Sequence, residues 1–284
     1  MQNSEFIRNI DPARSIRLKR RMLAPLFSIY TKPEKWLYAR GIFSPANLTL
    51  PDFIGIGAPQ GGTTWLYENL RHHPELFLSE KKEIRYFSIK FHESLRFSYA
   101  RNFKAGGRKK KGEITPEYSI LPLERIRFIR QILPDVRLIF IMRNPVDRVW
   151  SAARRVLSRL PDRKFEEITE EELQIYFKLP HCRNLTDYTT IFDRWLSVFP
   201  AGQLHVAFFD EIAQQPRELL RKIFLHVGVS ENVDWSTFPC EKVVNKNPDA
   251  EMPPSARRFL QEMYRDQINA LHGRFGGSVA KWLC

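Results

Sequence analysis

The run Val136–Met142, VRLIFIM, narrows the fold more than any other stretch of the chain. It is nearly continuous in apolar residues, several of them β-branched, so it reads as a strand covered on both faces. DFIGIG (Asp52–Gly57) and QLHVAFF (Gln203–Phe209) read as buried strands too, and EITPEYS (Glu113–Ser119) as a short strand running into a turn. Helical spacing marks the stretches between. Thr63–His72 turns Trp65, Leu66 and Leu70 inward, and Pro122–Leu133 aligns Leu123, Ile126, Ile129, Ile132 and Leu133. Asn144, Pro145 and Asp147 supply a cap, a first-turn proline and an early acid for another helix, and further helices are expected at Pro216–Val227 and Ser255–Leu271. Strands alternating with helices predict an α/β fold: a central, mainly parallel sheet between two helical layers. Ligands of such sheets sit beyond the carboxyl ends of the strands, so the strand-exit loops are where chemistry is expected.

The 284 residues show no repeats or low-complexity linker. Residues 1–50 read as a basic extension, broken by Pro12, Pro25, Pro33 and Pro45, packed on a single domain over 51–284. Within it SIRLKRRMLAPLFSIY has the pattern of a basic amphipathic helix. Packing on the domain's own surface is the stronger expectation, and peripheral membrane contact the weaker one. With 45 Lys+Arg against 32 Asp+Glu, the formal charge of +13 points to anionic company. Nucleic acid is not expected, because no aromatic-and-basic recognition module or zinc-finger spacing is present. Cys182, Cys240 and Cys284 lack CxxC spacing, which argues against a disulfide framework or a cysteine zinc site. No apolar run approaches the length of a membrane span and the start lacks the apolar stretch of a secretion signal, so the chain is expected to be soluble and cytoplasmic.

Three strand-exit loops carry the chemical signal. The first, GAPQGGTTWL (Gly57–Leu66), has the frame of the nucleotide P-loop with Thr63 where that loop carries its lysine. Gly57, Gly61 and Gly62 let successive N–H groups curl inward, the following helix adds partial positive charge, and Thr63 and Thr64 add hydroxyls. In the second, IMRNPVDRVWSAARR, Arg143 leaves a buried strand, and Arg148 and Ser151 share a helical face, a grip suited to a dianionic phosphate. The third, SEKKEIRYFS (Ser79–Ser88), places Glu83 among Lys81, Lys82 and Arg85, where a carboxylate can serve as general base. Each has a plainer reading: a glycine turn, a structural arginine, and an exposed acid on a mixed-charge helix.

Together these segments resemble the sulfotransferases that use 3′-phosphoadenosine 5′-phosphosulfate (PAPS), in particular heparan sulfate sulfotransferases and their bacterial relatives. GAPQGGTTWLYENLRHHPEL resembles that family's 5′-phosphosulfate loop, KKEIRYF its segment with the catalytic glutamate, GEITPEY its G-E-x-T-P-x-Y segment, and RNPVDRVWSAARR its 3′-phosphate motif. The tail from Met252 to Trp282 is similar to the family's closing helix and terminal tryptophan. The resemblance implies a P-loop NTPase-like fold. It implies that Gly61, Gly62, Thr63, Thr64 and Trp65 bind the 5′-phosphate and sulfate, that Arg143 and Ser151 bind the 3′-phosphate, and that Glu83 takes the acceptor's proton. It implies that Lys246, in VVNKNPD, belongs to a loop closing over the nucleotide. No metal is implied. The acceptor would be a hydroxyl or amine of a carbohydrate, lipid or small molecule, with Phe91–Arg108, Leu157–Arg183 and the basic run Arg108–Lys111 expected along its pocket.

Two departures stand out. The family has a lysine where Gln60 stands, and heparan-type enzymes often have one where Ile114 stands. Sulfuryl transfer needs charge compensation on the leaving oxygen, and a neutral amide donates a bond about half as strong as a charged one. Gln60 is therefore kept as a catalytic candidate, with compensation expected from Lys81, Lys82 or Arg85. A nucleotide binder with weak turnover and a P-loop kinase are the alternatives. The kinase is disfavoured by Thr63 at the lysine position and by the want of a convincing Mg²⁺ carboxylate.

Overall fold

The computed structural model describes Phe6, Ile7, Ile10 and residues 48–89, 91, 96–161, 163–242 and 251–283. Five strands, β1 (Phe53–Gly57), β2 (Leu76–Leu78), β3 (Lys110–Ile114), β4 (Arg137–Met142) and β5 (Leu204–Phe208), form one sheet in the order β2-β3-β1-β4-β5. Every pairing is parallel, with Ile54 opposite Glu113 on one side and Leu138 on the other. The longer helices are α1 (Thr63–Leu70), α2 (Leu123–Ile132), α3 (Pro145–Leu157), α4 (Glu170–Lys178), α5 (Tyr188–Leu196), α6 (Pro216–Val227) and α7 (Pro254–Phe275). The strands predicted at Asp52–Gly57, Val136–Met142 and Gln203–Phe209 are present; of Glu113–Ser119 only Glu113 and Ile114 are strand, the end of β3, and Pro116–Ile120 is a 3-10 helix, whereas three-residue β2 carries too little pattern to be read.

The two-faced burial expected of VRLIFIM is visible in how its residues divide. Leu138, Phe140 and Met142 join an apolar cluster with Val149, Ile126 and Leu260, while Ile139 and Ile141 join another with Trp65, Leu66, Leu219 and Ile223. All five strand residues have no exposed surface, each contributing about 1.5–3 kcal/mol of burial energy. Phe6 and Ile10 enter the first cluster, while residues 11–47, which include the basic amphipathic stretch, lie outside the described residues.

QLHVAFF is not the buried strand its composition suggested. β5 lies at the sheet edge, only Ala207 within it is fully buried, and its other residues keep partial exposure because, among the described residues, no strand covers its far side. His205 and His226 face each other near that edge at a ring separation of 5.3 Å, and burial pulls the His205 imidazole down to about 4.

Helix α3 starts as its sequence predicts, with Asn144 Oδ1 accepting from the Val146 N–H at 2.9 Å and Pro145 in the first turn. The closing helix α7 runs four residues beyond Leu271, and Trp282 packs against the first cluster while donating to Asp210 Oδ2 at 3.3 Å. Phe140 sits at the middle of the sheet, edge-on to Tyr188 and Phe192 at 5.5 and 5.0 Å. Phe140→Ala is expected to cost about 3–5 kcal/mol, read as a lower urea midpoint with an unchanged slope.

Candidate active site

The strands end together, so their exit loops gather at one edge of the sheet. β1 runs into Ala58–Gly62, β3 into Thr115, and β4 into Arg143. The Glu83 N–H donates to the Ile114 carbonyl at 3.2 Å, which seats the segment 79–89 beside the end of β3.

The first loop is a backbone cradle. A side chain at Gly61 would meet the Ile141 carbonyl oxygen at 2.5 Å, and Gly62, at φ 87°, N-caps α1 without any side-chain cap. The first helical bond of α1 runs from Leu66 N–H to the Gly62 carbonyl at 3.0 Å, so the amides at the helix start point onward toward the crevice. Such a terminus favours an anion. Thr63 is buried and Thr64 half-buried. The Trp65 indole is turned into the core, donating to the Cys240 carbonyl at 2.8 Å, which leaves only its backbone amide for the loop.

Arg143 closes this cradle from β4. Its Nη1 donates to the Gln60 carbonyl at 3.0 Å, and its guanidinium lies 4.3 Å over the Phe209 ring. Burial pulls Arg143 down from the usual arginine range, but the guanidinium keeps its charge. Ser151 is buried two turns into α3. Arg148, expected beside it, goes elsewhere. It is fully buried and donates to the Cys182 carbonyl at 3.2 Å and to Cys182 Sγ at 3.4 Å. Its guanidinium lies among Tyr176, Tyr188 and Tyr264. Lys246 lies outside the described residues.

The third segment is not a helix. Glu83 and Arg85 have φ of 60° and 58°, and Gln60 has 61°; these three are the only positive-φ residues other than glycine among the described residues. Each left-handed residue costs about 1–2 kcal/mol, a strain that clusters at functional sites. Arg85 Nη2 donates to Glu83 Oε2 at 2.6 Å and lies 3.3 Å from Glu117 Oε1. Lys82 Nζ lies 3.6 Å from Glu83 Oε1 and donates to Thr64 Oγ1 at 2.9 Å, joining the third segment to the first. Lys81 is exposed.

Burial alone would raise the Glu83 carboxyl. The Arg85 hydrogen bond and the charges of Lys82, Arg85 and Arg155 outweigh it, so Glu83 sits below the usual carboxylate range and is ionised at neutral pH. Behind it Glu113, which sequence reading passed over, is buried and accepts from Tyr99 Oη at 2.6 Å, Thr115 Oγ1 at 2.8 Å and Tyr118 Oη at 3.2 Å. Tyr118 Oη in turn accepts from the Phe87 N–H at 3.3 Å, fixing the far end of the Glu83 segment. The basic run Arg108–Lys111 is not part of this crevice. Lys110 opens β3, whose other end carries the site, so the run lies about four strand residues away at the opposite edge, near Asp52.

The sulfotransferase domain family matches residues 50–248, a span that holds every strand and all three loops. The chain belongs to the sulfotransferase domain family. A membrane-associated sulfotransferase of Dictyostelium discoideum is 23% identical, over 79% of this chain and 65% of its own length. Mouse heparan sulfate glucosamine 3-O-sulfotransferase 3B1 is 26% identical, over 80% of this chain and 62% of its own length. The chain thus spans somewhat less than two thirds of these relatives. A sulfotransferase structure from Alicyclobacillus acidocaldarius superposes with a TM-score of 0.63 at 25% identity, covering 82% of this chain and 98% of that one. Mouse SULT7A1, solved with PAP, shares the fold at a TM-score of 0.54 and 15% identity, over 82% of this chain and 88% of that one. The family's fold accounts for a parallel sheet whose exit loops converge. Among the described residues of this sulfotransferase-family chain, no helix is long and apolar enough to cross a membrane.

Arg85→Ala removes the contact that most offsets burial at Glu83. Its carboxyl is expected to titrate at higher pH in the variant than in the native chain, followed by carbon-13 NMR of labelled glutamate. An unchanged midpoint would show that Arg85 does not set it.

Proposed function

We propose that this chain transfers the sulfuryl group of PAPS to a hydroxyl or amine of a carbohydrate, lipid or small-molecule acceptor. PAPS would supply a sulfur whose bond to the bridging phosphate oxygen breaks as the acceptor oxygen or nitrogen bonds to it. The bond pair stays on the 5′-phosphate, and the acceptor proton passes to Glu83. The observation that carries the reading is the convergence of the cradle at Gly61–Trp65, Arg143 and Glu83 on one crevice, with Gln60, Glu83 and Arg85 held in left-handed backbone. The fit to the donor rests on the same loop. Gly61 and Gly62 let the loop backbone press against the Ile141 carbonyl and Ile212, where no side chain fits, and no side chain caps the amides at the start of α1.

Each residue's part follows from its surroundings. The amides of Gly61–Trp65 and the Thr63 and Thr64 hydroxyls would hold the 5′-phosphate and sulfate. Arg143, tied to the Gln60 carbonyl, would orient the loop and bind the 3′-phosphate together with Ser151. Arg85 occupies Glu83 Oε2, which leaves Oε1 to accept the proton. Lys246 would join the closing loop. The likeness to the mouse heparan sulfate 3-O-sulfotransferases favours a carbohydrate acceptor among the three classes. The free, buried thiols of Cys182 and Cys240 fit a reducing, cytoplasmic setting.

The test is transfer of labelled sulfate from PAPS to a panel of desulfated glycosaminoglycans, long-chain alcohols and phenols. Glu83→Gln is expected to lower turnover about 10²–10⁴-fold with PAP affinity held within about threefold. Arg143→Ala is expected to weaken PAP about 10- to 100-fold by calorimetry. A Glu83→Gln enzyme as fast as the native one would move the base elsewhere, and native affinity in Arg143→Ala would take it out of the phosphate site.

A further inference from the structure

The crevice lacks a lysine at residue 60, and the structure separates the three cations that the sequence offered in its place. Lys81 is exposed. Arg85 is committed to two carboxylates, Glu83 at 2.6 Å and Glu117 at 3.3 Å. Arg143, whose Nη1 holds the Gln60 carbonyl, is the group assigned to the 3′-phosphate. Lys82 differs from all of these. Its side chain is 23% exposed, and its Nζ donates to the Thr64 hydroxyl, in the first turn of α1 where the cradle amides gather.

We propose that Lys82 supplies the positive charge that Gln60 does not, binding the 5′-phosphate and neutralising the oxygen that sulfur leaves. The inference rests on the sulfuryl-transfer reading and adds to it a residue delivered from the strand β3 side instead of from within the loop. An ammonium has three donors. One is on Thr64 Oγ1, one faces Glu83 Oε1 at 3.6 Å, and the third is directed to neither. A phosphate oxygen seated on the α1 amides lies within reach of that same group, because Thr64 contributes both its amide to the cradle and its hydroxyl to Lys82. Lysine binds phosphate well as a point charge on a flexible stem, so its origin on another segment is no obstacle. The same ammonium stands between the base and the leaving group. The proton arriving on Glu83 and the negative charge arriving on the phosphate therefore develop on opposite sides of one cation.

Two measurements test this. The first uses the native chain: surface lysines are acylated with and without PAP, and modification is read by peptide mass spectrometry. PAP is expected to protect Lys82 at least tenfold while leaving its neighbour Lys81 as reactive as before. The second follows PAP released from PAPS in water with enzyme in excess, which needs no knowledge of the acceptor. Lys82→Met is expected to slow release about 10²–10³-fold, and adding Gln60→Lys to that variant is expected to recover at least tenfold, with melting temperatures recorded to confirm that each variant is folded. Equal acylation of Lys82 with and without bound PAP would overturn the inference, as would a folded Lys82→Met enzyme that keeps its rate. A native chain that binds no PAP, shown by an unmoved melting temperature, would sink the sulfuryl-transfer reading and this inference with it.

Discussion

A parallel sheet covered by helices has no wet face, so its polar work is displaced to the ends of its strands. β1 carries that constraint furthest here, because β3 and β4 flank it and each sends a loop to the same edge. The apolar side chains of β4 divide between two clusters, which leaves none of the strand's length for chemistry. The groups that bind or titrate at the crevice then come from the residues just past Gly57, Leu78 and Met142. Gly61 answers to the same crowding, since its backbone passes so near the Ile141 carbonyl that a side chain has no room.

Charge in the crevice is balanced by pairs rather than by solvent. Burial works against every ion there, pushing Glu83 up and Lys82 down; Glu83 is held by Lys82 and Arg85, and Lys82 by Glu83. For Glu83 the partners win, and the carboxylate stays ionised. For Lys82 burial wins, and its ammonium sits below the usual lysine range, so an incoming phosphate dianion would restore part of what burial removes. The left-handed backbone at Glu83 and Arg85 is what brings both side chains to the same carboxylate-to-guanidinium contact. The Glu113–Tyr118–Phe87 chain of hydrogen bonds holds that strained segment in place from behind.

Local pattern made most of the architecture legible. Apolar runs marked β1 and β4, and Asn144 with Pro145 marked the start of α3, because burial and capping leave traces within a few residues. β5 was misjudged since VAFF has the same composition at an edge as at a centre, and strand order is a long-range property. Arg148 was misjudged for a related reason. Helical spacing puts it on one stripe with Ser151, but spacing does not reveal its own partners, which are Cys182 and the tyrosines of α4, α5 and α7. The site loops were legible as motifs, whereas the positive φ at Gln60, Glu83 and Arg85 was not, because no glycine marks those positions. The Lys82–Thr64 contact joins residues 18 apart across a turn, and only the folded backbone distinguishes it from Lys81 or Arg85.

Sulfuryl transfer from PAPS requires a crevice that prefers a nucleotide with a 3′-phosphate to a metal-bound triphosphate. Parallel calorimetric titrations of the native chain with PAP and with ATP plus Mg²⁺ test that most directly. PAP is expected to bind at least tenfold more tightly, and at 100 times its dissociation constant to add about 2.7 kcal/mol of stability. Tighter binding of ATP with Mg²⁺ would contradict it.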